Sequence, residues 1–197
     1  GETKKTFLKG VNDLLDSNAG SLTVYTLMML HGTEFQDPKF RKNWGYKGKF
    51  RIVPLNFGEY ENTRIFDYEE AGIATKAMPF EDYLYIRSIA FMIESLVNGR
   101  PFDEIFQYAK LLGITKAYFL EILRDNIIRA PNDILDLFKD FIDDTKSELW
   151  ENENELLEYF KKDENYNLLK EGKVGGNLIY KYKSSYGFNL IILISVL

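Results

Sequence analysis

From Pro79 onward the apolar residues recur at helical spacing, and that stretch fixes what kind of fold the chain can adopt. Between Pro79 and Val97 they fall nearly all round the wheel: Phe80, Tyr83, Leu84, Ile86, Ile89, Ala90, Ile93 and Leu96. A helix apolar on every side is satisfied only at the centre of a core, so this one is read as buried. Asn98-Gly99 ends it. Three amphipathic helices follow. Phe102, Ile105, Phe106, Ala109 and Leu112 mark the first, with Gly113 beyond its end. Phe119, Ile122, Leu123 and Ile127 mark the second. Ile134, Leu137, Phe138, Phe141 and Ile142 mark the third, opened by Pro131. Thr145-Lys-Ser-Glu148 has the form of a capping box and predicts the start of a fourth, burying Leu149, Leu156, Leu157 and Phe160.

The chain opens with a helix and then a strand. Phe7, Leu8, Val11, Leu14 and Leu15 keep helical spacing behind Thr3 as N-cap, with Gly20 past the end. Leu22 to Leu30 is mostly apolar and bounded by Gly20 and Gly32, the pattern of a strand covered on both faces, as parallel strands in α/β folds are. An irregular stretch from Glu34 to Lys49 carries Pro38, Gly45 and Gly48. Two strands are predicted next, Phe50 to Asn56 and Arg64 to Tyr68, then an extended piece at Gly72 to Lys76. Glycines 175 and 176 lead into Asn177 to Lys183, and Leu190 to Leu197 reads as a strand. The expected class is therefore α+β and mainly helical, with short strands and five helices after residue 49. A linker is placed near residues 45 to 50 or near 76 to 79.

Residue types restrict the chemistry. The 197 residues contain no cysteine and one histidine, His31. No disulfide framework, thiolate zinc site or iron–sulfur cluster can be built from such a chain, and a Ser-His-Asp triad has almost no raw material. Carboxylates, lysines and tyrosines remain. A net charge of -5 does not suit general nucleic-acid binding. The longest apolar run is far short of the ~20 residues that cross a bilayer, and no signal peptide is visible, so a soluble, cytoplasmic chain with no membrane partner is expected.

Three constellations carry possible chemistry. Lys39 to Arg51 has six basic residues interleaved with Phe40, Trp44, Tyr46 and Phe50, a composition that single-stranded nucleic acid could use, although a lid or linker fits it better. Glu59, Glu61, Asp67, Glu69 and Glu70 could hold a hard cation, but match no calcium loop and read more readily as a solvated sheet face. His31, at a strand end beside Gly32, is either a proton donor or a solvated capping residue.

One family resemblance runs along the chain. Gly1-Glu2-Thr3 opening a helix, then a strand ending Tyr25-x-Leu27…Gly32-Thr33, resembles the later barrel strands of radical S-adenosylmethionine (SAM) enzymes, with His31 where proline is usual. Gly58-Glu-Tyr60, Asp67-Tyr-Glu-Glu70, Ile73-Ala-Thr75, Met78-Pro-Phe-Glu-Asp-Tyr-Leu-Tyr-Ile-Arg87 and Glu171-Gly-Lys-Val-Gly-Gly-Asn-Leu-Ile-Tyr180 follow in order. They resemble the C-terminal region of the radical SAM proteins that carry a cobalamin-binding domain. The last nine residues, Asn189 to Leu197, do not match.

The resemblance implies a barrel-edge βα remnant over residues 1–48 and a mainly helical C-terminal domain over 49–197. It implies a fragment, catalytically inactive in isolation, that completes the barrel and shapes the pocket of a small-molecule substrate. The missing N-terminal half would be its partner, and no nucleic acid is expected. This chain would hold no cofactor. The parent would use a [4Fe–4S] cluster, SAM and, through its extra domain, cobalamin. Glu2, Thr3, Tyr25, His31 and Thr33 become the SAM-side positions, because such barrels work at the C-terminal ends of their strands. No catalytic residue and no metal ligand are assigned. A self-sufficient helical binding or scaffolding domain, or an RNA-binding accessory module using Lys39 to Arg51, would give the same composition.

Overall fold

A computed structural model describes residues 1–17 and 20–186. The fold is mainly helical α+β, with nine α-helices and one three-stranded antiparallel sheet among those residues. The chain forms two compact units that interleave in sequence. One comprises Gly1, Thr26–Phe80 and Asp143–Leu178; the other comprises Glu2–Tyr25, Glu81–Ile142 and the chain from Ile179. No helix among the described residues is long and apolar enough to cross a membrane.

The first unit is built on a long hairpin, β2 (Lys47–Tyr60) and β3 (Thr63–Ala74). Its turn is Glu61-Asn62, both at positive φ (48° and 62°), the backbone that a two-residue turn needs to match strand twist. Register runs Ile52↔Tyr68 and then Phe57↔Phe66, so Val53 to Asn56 bulge out opposite Asp67 alone. β1 (Leu27–Met28) pairs antiparallel with β3 at Gly72 and Ala71, giving the order β1-β3-β2. Helices α7 (Glu153–Lys161) and α8 (Asp163–Lys170) complete the core, where Ile52, Phe66, Leu156, Phe160, Tyr166 and Leu169 pack together.

The second unit is helical. α1 (Lys4–Asp16) starts at the expected cap, with the Thr3 hydroxyl accepting from the Thr6 amide at 3.1 Å. α1 packs on α5 (Lys116–Asp125), which also meets α4 (Asp103–Leu111) through Phe119 edge-on to Phe106. α3 (Phe80–Met92) continues as one π-helical turn, Ile93–Val97, and is buried over most of its length, as its pattern predicts. Phe91, Phe138 and Phe141 bring α3 and α6 (Asn132–Ser147) together, and Tyr182 of α9 (Leu178–Tyr186) stands edge-on to Phe91 and Phe141.

Four expectations are corrected. Leu22 to Leu30 is not a parallel strand covered on both faces: only Leu27 and Met28 pair, antiparallel and exposed, because an apolar run records what a strand could bury and not whether neighbours are present. The stretch Glu34 to Lys49 is not irregular. It holds α2 (Pro38–Trp44), capped by the Asp37 side chain, opened by Pro38 and closed by Gly45 at φ 68°, and then the start of β2. Thr145 caps nothing: it is fully buried within α6, and α7 starts eight residues later, capped by Asn152. The strands of the hairpin are 14 and 12 residues long, not short, and among the described residues seven helices rather than five follow residue 49. The strand expected at Leu190 to Leu197 lies outside the described residues.

Candidate functional site

A groove in the first unit, about 770 Å³, opens beside the β1 edge of the sheet. Its floor is Gly48 and Phe50 of β2 with Tyr68, Glu69 and Glu70 of β3. One wall is the segment Met28 to His31 with Pro38 and Arg41 of α2, and the other is Glu151 to Asn154. The wall from residue 151 is held to the sheet by a reciprocal backbone pair, Phe50 to Trp150, at 2.7 Å in each direction. The opposite wall is tied down by the Met29 amide on the Glu70 carbonyl at 2.8 Å and by the Gln36 side chain on the Met29 carbonyl at 3.2 Å.

The polar groups of the groove are held in fixed pairs. Arg41 engages both oxygens of Glu70, at 2.7 and 2.5 Å, and its Nε donates to the Phe35 carbonyl. The Glu70 hydrogen bond is the main reason the Arg41 pKa is raised. Arg51 binds Glu69 at 2.6 Å and Glu148 at 2.9 Å. Lys49 reaches Glu151 at 2.7 Å. The Tyr68 hydroxyl donates to Glu153, which, together with partial burial, pushes its pKa above the usual tyrosine value. The Tyr68 ring lies edge-on to Phe50. A groove with locked carboxylates, one tyrosine hydroxyl, His31 and an aromatic floor can orient a polar ligand with little rearrangement of its own groups.

These pairings change the reading of both charged constellations. Glu69 and Glu70 are not a solvated face: their side chains are 8% and 12% exposed and each faces an arginine. Glu59 pairs with Arg64, which also holds Asp163 and lies over the Tyr166 ring. Within Lys39 to Arg51, Arg41, Lys49 and Arg51 already face carboxylates, which removes much of the positive field a polyanion would need. Among the described residues no group of three or more His, Cys, Asp or Glu is placed to hold a metal ion.

The five SAM-side residues divide between the units. His31 and Thr33 belong to the first, Glu2, Thr3 and Tyr25 to the second. His31 is exposed in the turn after β1 and lines the groove; Thr33 donates to the Leu30 carbonyl at 2.6 Å and stabilises that turn. Glu2 accepts from the Thr6 hydroxyl and Thr3 caps α1, so both are engaged in starting that helix. Tyr25 is almost wholly exposed. Only His31 therefore joins the groove. Tyr68 and Glu153 were not foreseen, and Arg41 entered only as one basic residue of Lys39 to Arg51, although the Asp37-Pro38…Gly45 punctuation of α2 could have placed it on a helix.

No protein-family model matches the chain, and no curated protein matches it. The chain has no cysteine with which to ligate an iron–sulfur cluster. No chemical step through a cluster is assigned to its residues.

Proposed function

We propose that the chain is the C-terminal part of a radical SAM enzyme, that it lays an apolar segment against the upstream barrel, and that its groove forms one wall of the pocket for a small polar substrate. The observation that carries this reading is the exposure of the segment before and within β1. Tyr25, Leu27, Met28 and Leu30 are 85%, 40%, 43% and 54% exposed. Four large apolar side chains in six residues, on a segment patterned to be covered on both faces, ask for a covering surface. The ordered motifs from Gly58 to Tyr180 support the choice of family, and the lack of cysteine fits a part whose cluster ligands lie in other sequence.

The cluster and SAM would supply the radical in the parent, and cobalamin would serve the same enzyme. The residues of this chain would hold and orient the substrate. Arg41 and Glu70 set the groove's width, and Tyr68 with Glu153 presents a hydroxyl.

The test uses Leu27→Ser, Met28→Ser and Leu30→Ser together. In this chain the triple variant costs only a part of a full core loss, because each of those side chains keeps 40% or more of its surface in water. In the parent protein it lowers formation of 5′-deoxyadenosine from SAM or prevents soluble assembly. A parent enzyme indifferent to the triple variant contradicts the docking role.

A second reading, a self-sufficient binding domain, draws on the closed core of the first unit, which packs Ile52 and Phe66 of the hairpin against Leu156, Phe160 and Leu169. Under it the triple variant changes nothing in any context.

A further inference from the structure

We propose that Arg87 is the centre of a binding site for a small-molecule carboxylate. Arg87 lies in the middle of α3 and is 9% exposed. Its guanidinium sits over the ring of Phe141, 5.9 Å from the centroid, and its Nε is buried without a hydrogen-bond partner. Arg41, Arg51, Arg64 and Arg100 each hold a carboxylate, and Arg124 donates to Ser88 and lies over Tyr85. Arg87 differs from all of them. Among the described residues it makes the ring contact and no ion pair.

A guanidinium does not give up its proton in a protein, and a buried charge is stable only when it is paired or otherwise compensated. The face of Phe141 compensates in part. It leaves the Nε–H donor unused, since a ring face accepts no hydrogen bond from that edge. One positive charge with a planar fork of donors matches one carboxylate in both charge and shape. A phosphate dianion would keep an unbalanced negative charge. The support beneath is rigid: Phe141 is stacked on Phe91 at 4.8 Å and 23°, and both rings are fully buried. The guanidinium is thus oriented before any ligand arrives. None of this depends on the radical SAM reading, and either can fail without the other.

The experiment follows the arginine Nε–H resonances of the full 197-residue chain by nitrogen-15 NMR, with Arg87→Lys used for assignment. Sodium benzoate and sodium acetate are titrated against sodium chloride and sodium phosphate at equal ionic strength. The Arg87 signal is expected to shift and its exchange with solvent to slow in the carboxylates but not in chloride. Arg41, Arg51 and Arg64, already on carboxylates, should stay in place. Thermal midpoints give a second readout. Benzoate should raise the midpoint of the native chain and not that of Arg87→Met, which should be at least as stable as the native chain in chloride. A response to phosphate in place of carboxylate overturns the proposal. So does an unmoved Arg87 signal, or an Arg87→Met variant destabilised equally with and without benzoate, which would make the arginine a structural prop.

Discussion

The Glu70 side chain, from the β3 residue that pairs with Phe50, lies over Gly48: a Cβ built on the glycine would stand 2.7 Å from Glu70 Cγ, closer than real Cβ contacts allow. The absence of a side chain at 48 lets β3 present Glu70 flat against β2, where Arg41 takes both of its oxygens. The groove's width is set at that triplet. Gly48→Ala should therefore displace the carboxylate and weaken its pairing, costing about 1–3 kcal/mol. Urea unfolding should show a lower midpoint with an unchanged m value. Glu70→Ala in the same chain should relieve part of the clash, so the two changes are non-additive. Additive losses would mean that Glu70 is not held over residue 48.

Tyr85 offers a test by pH. The Lys4 ammonium at 4.6 Å and the Arg124 guanidinium at 4.9 Å both lie over its ring. Burial first, and then the Asp125 carboxylate, raise its pKa above the usual tyrosine value. The folded chain thus keeps a proton that the unfolded chain releases near pH ~10. The stabilisation is complete below that value and is lost as pH rises toward the folded pKa. Stability should fall from about pH 9–10 upward, toward the raised folded pKa, and Tyr85→Phe should flatten the slope. Tyr68, shifted in the same direction, contributes a second and separable part of it. An identical slope in Tyr85→Phe would exclude the assignment.

Glu121 follows the same sign at lower pH. Partial burial, and then repulsion from Asp125, raise its pKa, while Lys4 draws it down in part. Its ionised form is disfavoured in the folded chain, so stability rises as pH falls through the folded pKa. Glu121→Gln should stabilise the chain at pH ~7 by under about 1 kcal/mol, allowing for solvent screening, and the gain should vanish below pH ~4. A destabilised variant at neutral pH would show that the carboxylate is needed as a partner.

The helices were legible in the sequence because each has its own period and its own punctuation. Thr3 caps α1, Pro131 opens α6, and the all-round apolar helix is buried where its pattern puts it. Thr145 misled for a physical reason. Phe138, Phe141 and Thr145 continue one stripe at i, i+3 and i+7, and burial on that stripe outweighs the local preference of threonine for a cap. The groove was hardly legible, since its pairs join residues far apart in sequence: Arg41 with Glu70, Arg51 with Glu148, Tyr68 with Glu153. Neither partner of such a pair carries a local signal for the other. The segment Leu22 to Leu30 failed differently. Its pattern names the surfaces it would bury, and within this chain Met29 alone is buried while Tyr25, Leu27, Met28 and Leu30 keep 40% or more of their surface in water.

That exposure predicts where backbone protection is low. Leu27 and Met28 pair only with Gly72 and Ala71, while α3 is buried along most of its length. Amide hydrogen exchange should be fast from residue 23 to 26, slower at Leu22 and Met29, whose amides donate to Asn98 and to the Glu70 carbonyl, and slowest from Ile86 to Ile93. Protection at Val24 equal to that at Ile89 would mean the segment is already satisfied and needs no partner.

The central claim, that these residues belong to a radical SAM enzyme, is tested most directly by reading the genomic sequence upstream of Gly1. The account predicts an uninterrupted frame with Cys-x-x-x-Cys-x-x-Cys on the order of 100 residues before Gly1, roughly four βα units away. An in-frame stop codon or a start methionine immediately before Gly1, or a long upstream frame without that cysteine motif, would contradict it.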